Sequence, residues 1–175
     1  MKTIIALLLS IAPVLWSAAQ TNNIPNVDLR DTDGNRITSA EIIQPGAATL
    51  VVFWKSNNSQ CCTNLENLEE AWSETLRNQG VRMVVICTDC NGNWSNIKPV
   101  VNGNGWEFET YVDVNGDFKR AMNVGEGPCT MLFDNDENMV CRYNSTCTGG
   151  PDYICDNFMK HLESPLSVVE YRAGK

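Results

Sequence analysis

Two continuous apolar runs and one helical repeat dominate the first half of the chain. The runs occupy residues 47–54 and 81–87, and unbroken apolar character is typical of strands covered on both faces. Between them, residues 58–78 show a helical period, and Gly80 follows where a helix C-cap is expected. The repeating apolar positions are Leu65, Leu68, Trp72 and Leu76. The pattern predicts a strand–helix–strand unit with parallel strands, because a long helix separates them.

Shorter elements are predicted on either side of this unit. A polar turn at residues 31–35 separates two short strands and predicts an N-terminal β-hairpin, with Gly34 supplying the positive φ of the turn. The second half alternates short helices with extended runs, predicted at residues 94–101, 107–112, 118–122, 127–134, 138–143 and 152–162. The fold class is therefore α/β, with a mixed central sheet flanked by helices, in one domain at residues 24–163. Residues 164–175 form a tail without a clear pattern.

The composition narrows the classes of partner and cofactor. The 175 residues carry 21 acids and 13 bases, a formal charge of −8, and no run of Lys and Arg occurs. Such a chain has no electrostatic support for binding nucleic acid or an anionic membrane. The single histidine, His161, leaves little room for a His-based metal site or an imidazole relay, and we expect it at the surface. We expect no metal and no cofactor.

Residues 1–19 have the pattern of a secretory signal peptide. Lys2 supplies the positive start, residues 4–16 are largely apolar, and small residues at 17–19 precede an expected cut before Gln20. The apolar run is short for a bilayer span, so a retained membrane anchor is the lesser alternative. We expect an exported protein, periplasmic or secreted, with no membrane attachment after cleavage. All eight cysteines would then reach an oxidising compartment, where disulfides persist.

The order of motifs in the strand–helix–strand unit is similar to that of a known family. Phe53-Trp54 ends the first buried strand, an acidic helix spans residues 65–72, and VRMVVICTD forms the second strand and its exit. In this order the chain resembles thioredoxin-like thiol-disulfide oxidoreductases of the TlpA/ResA type, which place Cys-x-x-Cys at the start of the helix. The resemblance covers residues 24–162. It implies a thioredoxin-like fold, and partners that are protein thiols or disulfides, or a peptide.

The segment that corresponds to the family's active site departs from the pattern. Residues 57–62 lie over the Cys-x-x-Cys region, with Asn58 at the position of the attacking cysteine and Cys61 at that of the resolving cysteine. Asn64 stands where these reductases often have a glutamate, and Cys62 is an additional thiol. Asn58 cannot attack a disulfide, but it is a favourable helix N-cap. The resemblance therefore leaves Cys61 and Cys62 as the candidate catalytic residues.

A second region of resemblance lies at residues 124–134, which are similar to the segment that carries the family's cis-proline, here Pro128. The residues that the resemblance implies in substrate binding are Asn58, Gly127 and Pro128.

A peroxiredoxin-like peroxidase is the nearest enzymatic alternative to the thioredoxin-like oxidoreductase. Lys55, Ser59 and Cys62 fit the spacing of its Pro-x-x-x-Thr/Ser-x-x-Cys loop, with lysine replacing proline. That family also needs an arginine beside its thiolate, roughly where this chain has Pro128.

Up to five thiols are predicted at one edge of the sheet. Cys61 and Cys62 fall in the first helical turn, where unpaired N–H groups favour a thiolate. Cys87 and Cys90 follow the second parallel strand at the same carboxyl edge, and Cys129 starts the strand after the proline segment. Structural disulfides are one interpretation. The others are a thiolate metal site and a redox centre in which one of the two helix thiols attacks and one of the other three resolves.

The last three cysteines are candidates for structural disulfides. A Cys147–Cys155 bond would close a Gly-rich loop, and Cys141–Cys147 is the competing pair.

Two main functions stay open. The first is a divergent thiol-disulfide oxidoreductase that acts through Cys61 or Cys62. The second is a non-catalytic thioredoxin-fold binding module that disulfides stabilise.

Overall fold

The computed structural model describes residues 24–88, 94–144 and 150–163. Its strands are β1 (Asp28–Asp31), β2 (Arg36–Thr38), β3 (Thr49–Trp54), β4 (Arg82–Cys87), β5 (Glu109–Val112), β6 (Cys129–Phe133) and β7 (Met139–Asn144). Its α-helices are α1 (Ser39–Ile42), α2 (Ser59–Ala71), α3 (Ile97–Asn104), α4 (Asp117–Ala121) and α5 (Gly150–Glu163). The predicted signal segment, the predicted tail, Cys90 and Cys147 lie outside the described residues. Within the described part of the chain, no helix is long and apolar enough to cross a membrane.

The described strands form one mixed sheet in the order β2-β1-β5-β4-β3-β6-β7. Strands β3, β4 and β5 are parallel, as expected for strands that helices connect. Strand β6 runs antiparallel to β3, and β7 runs antiparallel to β6, so the predicted second hairpin closes one side of the sheet. The hairpin of β1 and β2 adds antiparallel to β5 at the other side. The predicted α/β class, with its mixed sheet and N-terminal hairpin, is confirmed.

The sheet separates two hydrophobic cores. Successive side chains of a strand point to opposite faces, so Val52 and Trp54 of β3 lie in a first core, and Val51 and Phe53 lie in a second. The first core is covered by α2, α3 and α5, whereas the second core includes Phe118 of α4. All six residues of β3 are buried. The continuous apolar run of this strand is therefore explained by cover on both faces.

The long helix predicted after β3 changes form near its end. It leaves the α conformation after Ala71 and continues as a π turn, Trp72–Leu76, and a short 3₁₀ turn. The indole N–H of Trp72 donates to the Val81 carbonyl at 2.9 Å, which fixes this end of the helix against the start of β4. Gly80 follows with a φ of 77°, as the predicted C-cap requires.

The structure contains one short helix, α1, that the sequence analysis does not predict. The backbone N–H of Thr38 donates to Oε2 of Glu41 at 2.5 Å, and the two residues form a capping box. Ile42 and Ile43, at the end of this helix, are buried in the second core. The Thr-x-x-Glu spacing before two isoleucines is the signal in the sequence that marks this helix.

Candidate active site

Helix α2 begins directly after the carboxyl end of β3, and Asn58 sets its start. The backbone of Asn58 is extended, with a φ of −119°. Its Oδ1 accepts a hydrogen bond from the backbone N–H of Cys61 at 3.0 Å, and its carbonyl accepts one from the N–H of Cys62 at 3.0 Å. The predicted capping role of Asn58 is confirmed. Both cysteines consequently lie in the first turn of α2.

Cys61 and Pro128 both line a cavity of about 150 Å³. The cavity sits between α2, the start of β6, the end of β7 and the start of α5. Its apolar lining includes Val52, Leu65, Leu68, Tyr143 and Ile154. The side chain of Cys61 is 4% exposed. The structure thus brings together the candidate cysteine and the proline that the resemblance places opposite it.

Cys62 has different surroundings from its neighbour. Consecutive residues of an α-helix are rotated by about 100°, so two adjacent side chains cannot share one face. Cys61, Leu65 and Leu68 line the cavity, whereas Cys62 is half-buried and packs against the first core. The Sγ of Cys62 lies 3.7 Å from the carbonyl oxygen of Ser56 and donates to it. The two adjacent thiols therefore have different environments, and Cys61 is the one at the cavity.

Of the five thiols predicted at one edge of the sheet, Cys129 lies on the other face, and a grouping of the remaining thiols stays a prediction. Cys129 of β6 pairs in register with Phe53, and its side chain lies in the second core, on the face of the sheet opposite Cys61. Cys87 pairs with Trp54 and is buried in the first core. Cys90 lies outside the described residues. The correction follows from strand geometry, because alternate residues of β6 face opposite sides of the sheet.

The cysteines predicted in structural disulfides are also buried. Cys141 of β7 and Cys155 of α5 both lie in the first core. Burial raises the pKa of the Cys141 thiol to about 12, although a backbone hydrogen bond from Leu132 acts in the opposite direction. Cys141 is therefore protonated at neutral pH and is a poor nucleophile. No disulfide joins two of the cysteines within the described ranges.

The loop before Pro128 is held by an ion-pair cluster that sequence reasoning missed. The Glu126 carboxylate accepts from Nζ of Lys55 at 2.6 Å and from Nζ of Lys119 at 3.0 Å. These two ammonium groups lower the pKa of Glu126 to about 2. Lys55 follows β3 and Lys119 lies in α4, so the cluster connects three separate segments. No local motif marks it, because Lys55 and Glu126 are 71 positions apart.

The backbone at Pro128 differs from the family pattern that the sequence resembles. The peptide bond between Gly127 and Pro128 is trans, since no cis bond occurs among the described residues. Pro128 nevertheless lines the cavity, while Gly127 precedes it in the loop that Glu126 anchors. Of the three residues predicted in substrate binding, Asn58 caps the helix and Pro128 faces the cavity.

The cavity wall carries polar side chains of Asn64, Thr130, Tyr143 and Asn144, and it also includes Trp54. Asn64, which the resemblance aligns with the family's glutamate, accepts a hydrogen bond at its Oδ1 from Nε2 of Gln60 at 3.0 Å. Trp54 is 1% exposed, and its indole packs edge-to-face on Trp106 with ring centroids 5.5 Å apart. The Trp54 indole N–H finds no hydrogen-bond acceptor among the described residues. No carboxylate occurs among the described residues that line the cavity.

Metal binding finds no support in the described part of the chain. Across residues 24–88, 94–144 and 150–163, no group of three or more His, Cys, Asp or Glu side chains is arranged to hold a metal ion.

Comparisons with known proteins identify the class. An uncharacterized thioredoxin-like protein from Porphyromonas gingivalis has 27% sequence identity and a TM-score of 0.70, over 82% of this chain and 94% of that one. A secreted disulfide oxidoreductase from Mycobacterium tuberculosis has 17% identity and a TM-score of 0.62, over 77% and 95%. The thioredoxin domain of a thiol-disulfide oxidoreductase from Bacteroides vulgatus has 16% identity and a TM-score of 0.61, over 79% and 94%. The chain shares the thioredoxin-like fold of these proteins, so the predicted thioredoxin-like fold is confirmed.

The family follows from the sequence match. The model of the AhpC/TSA family matches residues 21–144, so the chain belongs to that family. No curated protein matches the chain.

Proposed function

We propose that the protein is an exported thiol-disulfide oxidoreductase in which Cys61 is the reactive thiol. One observation carries the proposal: Cys61 and Pro128 line the same cavity at the first turn of α2. The N-terminus of a helix favours a thiolate, because its N–H groups and dipole stabilise negative charge. The partners are protein thiols or disulfides, and the chemistry needs no cofactor.

The exchange reaction follows from the position of the two helix thiols. The Cys61 thiolate attacks one sulfur of a partner disulfide, the S–S bond of the partner breaks, and the second partner sulfur leaves as a thiolate. A thiol then attacks the mixed disulfide and releases Cys61. Cys62 is poorly placed for this step, because it is not among the described residues that line the cavity and a ring between adjacent cysteines is strained. We assign the resolving step to a small thiol from outside the protein, because the second thiol of the partner would only re-form the original disulfide. The outside thiol releases Cys61 by forming a mixed disulfide with the partner, and a second molecule of it releases the partner thiol and leaves as the donor disulfide.

Export is supported by two separate observations. Residues 1–19 combine Lys2, an apolar stretch and small residues before Gln20, as in secretory signals. The similar Mycobacterium tuberculosis protein is described as secreted. A disulfide exchanger meets its substrates in such a compartment, because disulfides persist there.

A non-catalytic binding module is the second candidate. It is favoured by Asn58, which provides a cap in place of an attacking thiol, and by the low exposure of Cys61 at 4%. In this case the cavity beside Pro128 would bind a peptide side chain without covalent chemistry.

Insulin reduction with a chemical thiol as electron donor separates the candidates. We expect the wild type to accelerate insulin reduction. The accelerated rate should fall by about tenfold or more in Cys61→Ser and should be retained in Cys62→Ser. Cys62→Ser is the matched control, because it removes a thiol from the same helical turn. A wild type without acceleration supports the binding module. Loss in Cys62→Ser alone moves the reactive thiol to Cys62, and hydrogen peroxide turnover by that residue would then support the peroxiredoxin-like alternative.

A further inference from the structure

The loop that carries Pro128 runs from the end of α4 to the start of β6. It comprises residues 122–128 and is called the Pro128 loop below. Strand β7 holds the far end of this loop, because Cys129, the next residue, pairs in register with Asn144. Asn144 and Pro128 both line the cavity. The strand that ends at the cavity therefore also fixes where the loop enters β6.

The side chain of Arg142, in the same strand β7, holds the near end of the Pro128 loop. Its Nη1 donates to the carbonyl oxygen of Met122 at 2.9 Å, and its Nη2 donates to that of Asn123 at 2.6 Å. Carbonyls at the end of a helix have no partner within the helix, and a guanidinium at this end also complements the helix dipole. One strand thus holds both ends of the loop.

The two carbonyls that Arg142 binds lie on either side of the Asn123 Cα. Peptide units are planar, so the two nitrogens of the guanidinium fix how these two units are oriented relative to each other. Asn123 has a φ of 51°, in the left-handed region that is uncommon for residues other than glycine. This backbone conformation sets the direction in which the chain leaves α4. The path towards Pro128 therefore depends on Arg142.

We propose that Arg142 is a positioning residue that places Pro128 at the cavity and thereby sets the rate at which Cys61 exchanges with protein disulfides. The inference rests on the proposed function, since it concerns the same site. Arg142 is not among the described residues that line the cavity, so it acts through the loop. A polypeptide substrate contacts the wall that includes Pro128, whereas a small disulfide needs only access to Cys61. The effect of Arg142 should therefore depend on the size of the substrate.

Exchange rates with two disulfides separate positioning from a general loss of structure. Reduced protein is mixed with oxidised insulin or with bis-hydroxyethyl disulfide, the reaction is quenched with acid, and the mixed disulfide at Cys61 is quantified by mass mapping. In Arg142→Ala we expect the rate with insulin to fall about tenfold, because the wall is misplaced, and the rate with the small disulfide to change less than about twofold. Equal slowing with both disulfides would show that Cys61 itself is altered, and the positioning role would be rejected.

Arg82→Ala is the matched control. The guanidinium of Arg82 also donates to a backbone carbonyl, that of Ile42 at 3.1 Å, but Arg82 starts β4 and does not line the cavity. We expect this variant to keep the wild-type rate with insulin. Arg142→Lys keeps the charge with one nitrogen in place of the fork, so its insulin rate should lie between those of the wild type and Arg142→Ala. If Arg142→Ala does not fold, an unchanged insulin rate in Arg142→Lys would overturn the proposal.

Hydrogen exchange tests the hold on the loop without any chemistry at Cys61. The backbone N–H groups of residues 122, 123 and 124 donate to carbonyls of α4, so their exchange reports on the near end of the loop. We expect faster exchange at these groups in Arg142→Ala and wild-type exchange in Arg82→Ala.

The outcomes distinguish this inference from the function on which it rests. Unchanged exchange in Arg142→Ala, or faster exchange with an unchanged insulin rate, would overturn the positioning role and leave the proposed function intact. A wild type in which Cys61 reacts with neither disulfide would overturn the proposed function instead.

Discussion

The side chain of Asn58 accepts a hydrogen bond from the backbone N–H of Cys61 at 3.0 Å. In the registration that the sequence resemblance implies, this capping residue stands at the position of the attacking cysteine of a thioredoxin-like dithiol. Capping and attack require different side chains at this position. The cap needs an oxygen that accepts a hydrogen bond from the backbone, whereas attack on a disulfide needs a thiolate that donates an electron pair. The chain has the cap, and Cys61, which we propose as the reactive thiol, lies one turn further into the helix.

Restoring a thiol at this position should create a dithiol at a cost in stability. We expect Asn58→Cys to form a disulfide between the introduced thiol and Cys61 in oxidising buffer, and to reduce insulin faster than the wild type. Loss of the cap should lower the free energy of unfolding by about 1 kcal/mol. Thiol trapping across glutathione buffers measures the first effect, and urea unfolding of the reduced protein measures the second.

Asn58→Ser is the control for this change. Serine retains an N-capping oxygen, so the free energy of unfolding should stay near that of the wild type, and no new redox couple should be detected. If Asn58→Cys forms no intramolecular disulfide, residue 58 does not lie at the attacking position and the registration of residues 57–62 on the family motif is wrong.

Cys141 should make the protein sensitive to alkaline pH. Its pKa is about 12 in the folded state and 9.0 in the absence of burial, so the folded state keeps a proton that the unfolded chain loses. The stabilisation is complete below pH 9 and is lost as pH rises from about 9 to about 12. We expect the free energy of unfolding to fall over this range, and to fall less steeply in Cys141→Ala.

The same group predicts a labelling pattern. Iodoacetamide at neutral pH should leave Cys141 unmodified in the folded protein, and should modify it once urea unfolds the chain.

The alkaline titration needs a control for Tyr111, whose pKa is raised to about 12 by burial and by Glu109. This tyrosine titrates in the same alkaline range and remains in both the wild type and Cys141→Ala. The difference between wild type and Cys141→Ala therefore isolates the cysteine. An identical alkaline slope in the two proteins would contradict the assignment.

The fold was predictable because its signals are local. The apolar runs of β3 and β4 and the helical repeat of α2 each lie within one segment, and their order fixes parallel strands. The Thr38–Glu41 capping box was equally local, although the apolar pattern alone does not reveal it.

The arrangement of the cysteines was predictable only in part. All five residues of β6 are buried, so the strand has no polar alternation to tell which face Cys129 occupies. Its face depends on the register with Phe53, which is a property of the assembled sheet. The contact of Lys55 with Glu126 likewise joins segments 71 positions apart and leaves no local pattern.

The Glu126 cluster should position the loop that carries Pro128. Replacing the carboxylate in Glu126→Gln removes its ionic attraction to Lys55 and Lys119, which are 2.6 Å and 3.0 Å away. We expect a several-fold slower reaction of Cys61 with a protein disulfide, because the opposite wall of the cavity is less firmly held. The free energy of unfolding should change little at neutral pH, since the Glu126 side chain is 84% exposed.

Acid titration and a matched variant complete this test. The lowered pKa of Glu126, about 2, means that its contribution is present above the ordinary value of 4.5 and is lost as pH falls towards 2. Because the carboxylate is 84% exposed, this contribution is small, and the acid decline in stability should be only slightly shallower in Glu126→Gln. Glu107→Gln removes another exposed carboxylate, paired with Arg77 at 2.8 Å outside the cavity, and should leave the Cys61 rate unchanged. Equal slowing in both variants would show a general effect of charge, and the positioning role of Glu126 would be rejected.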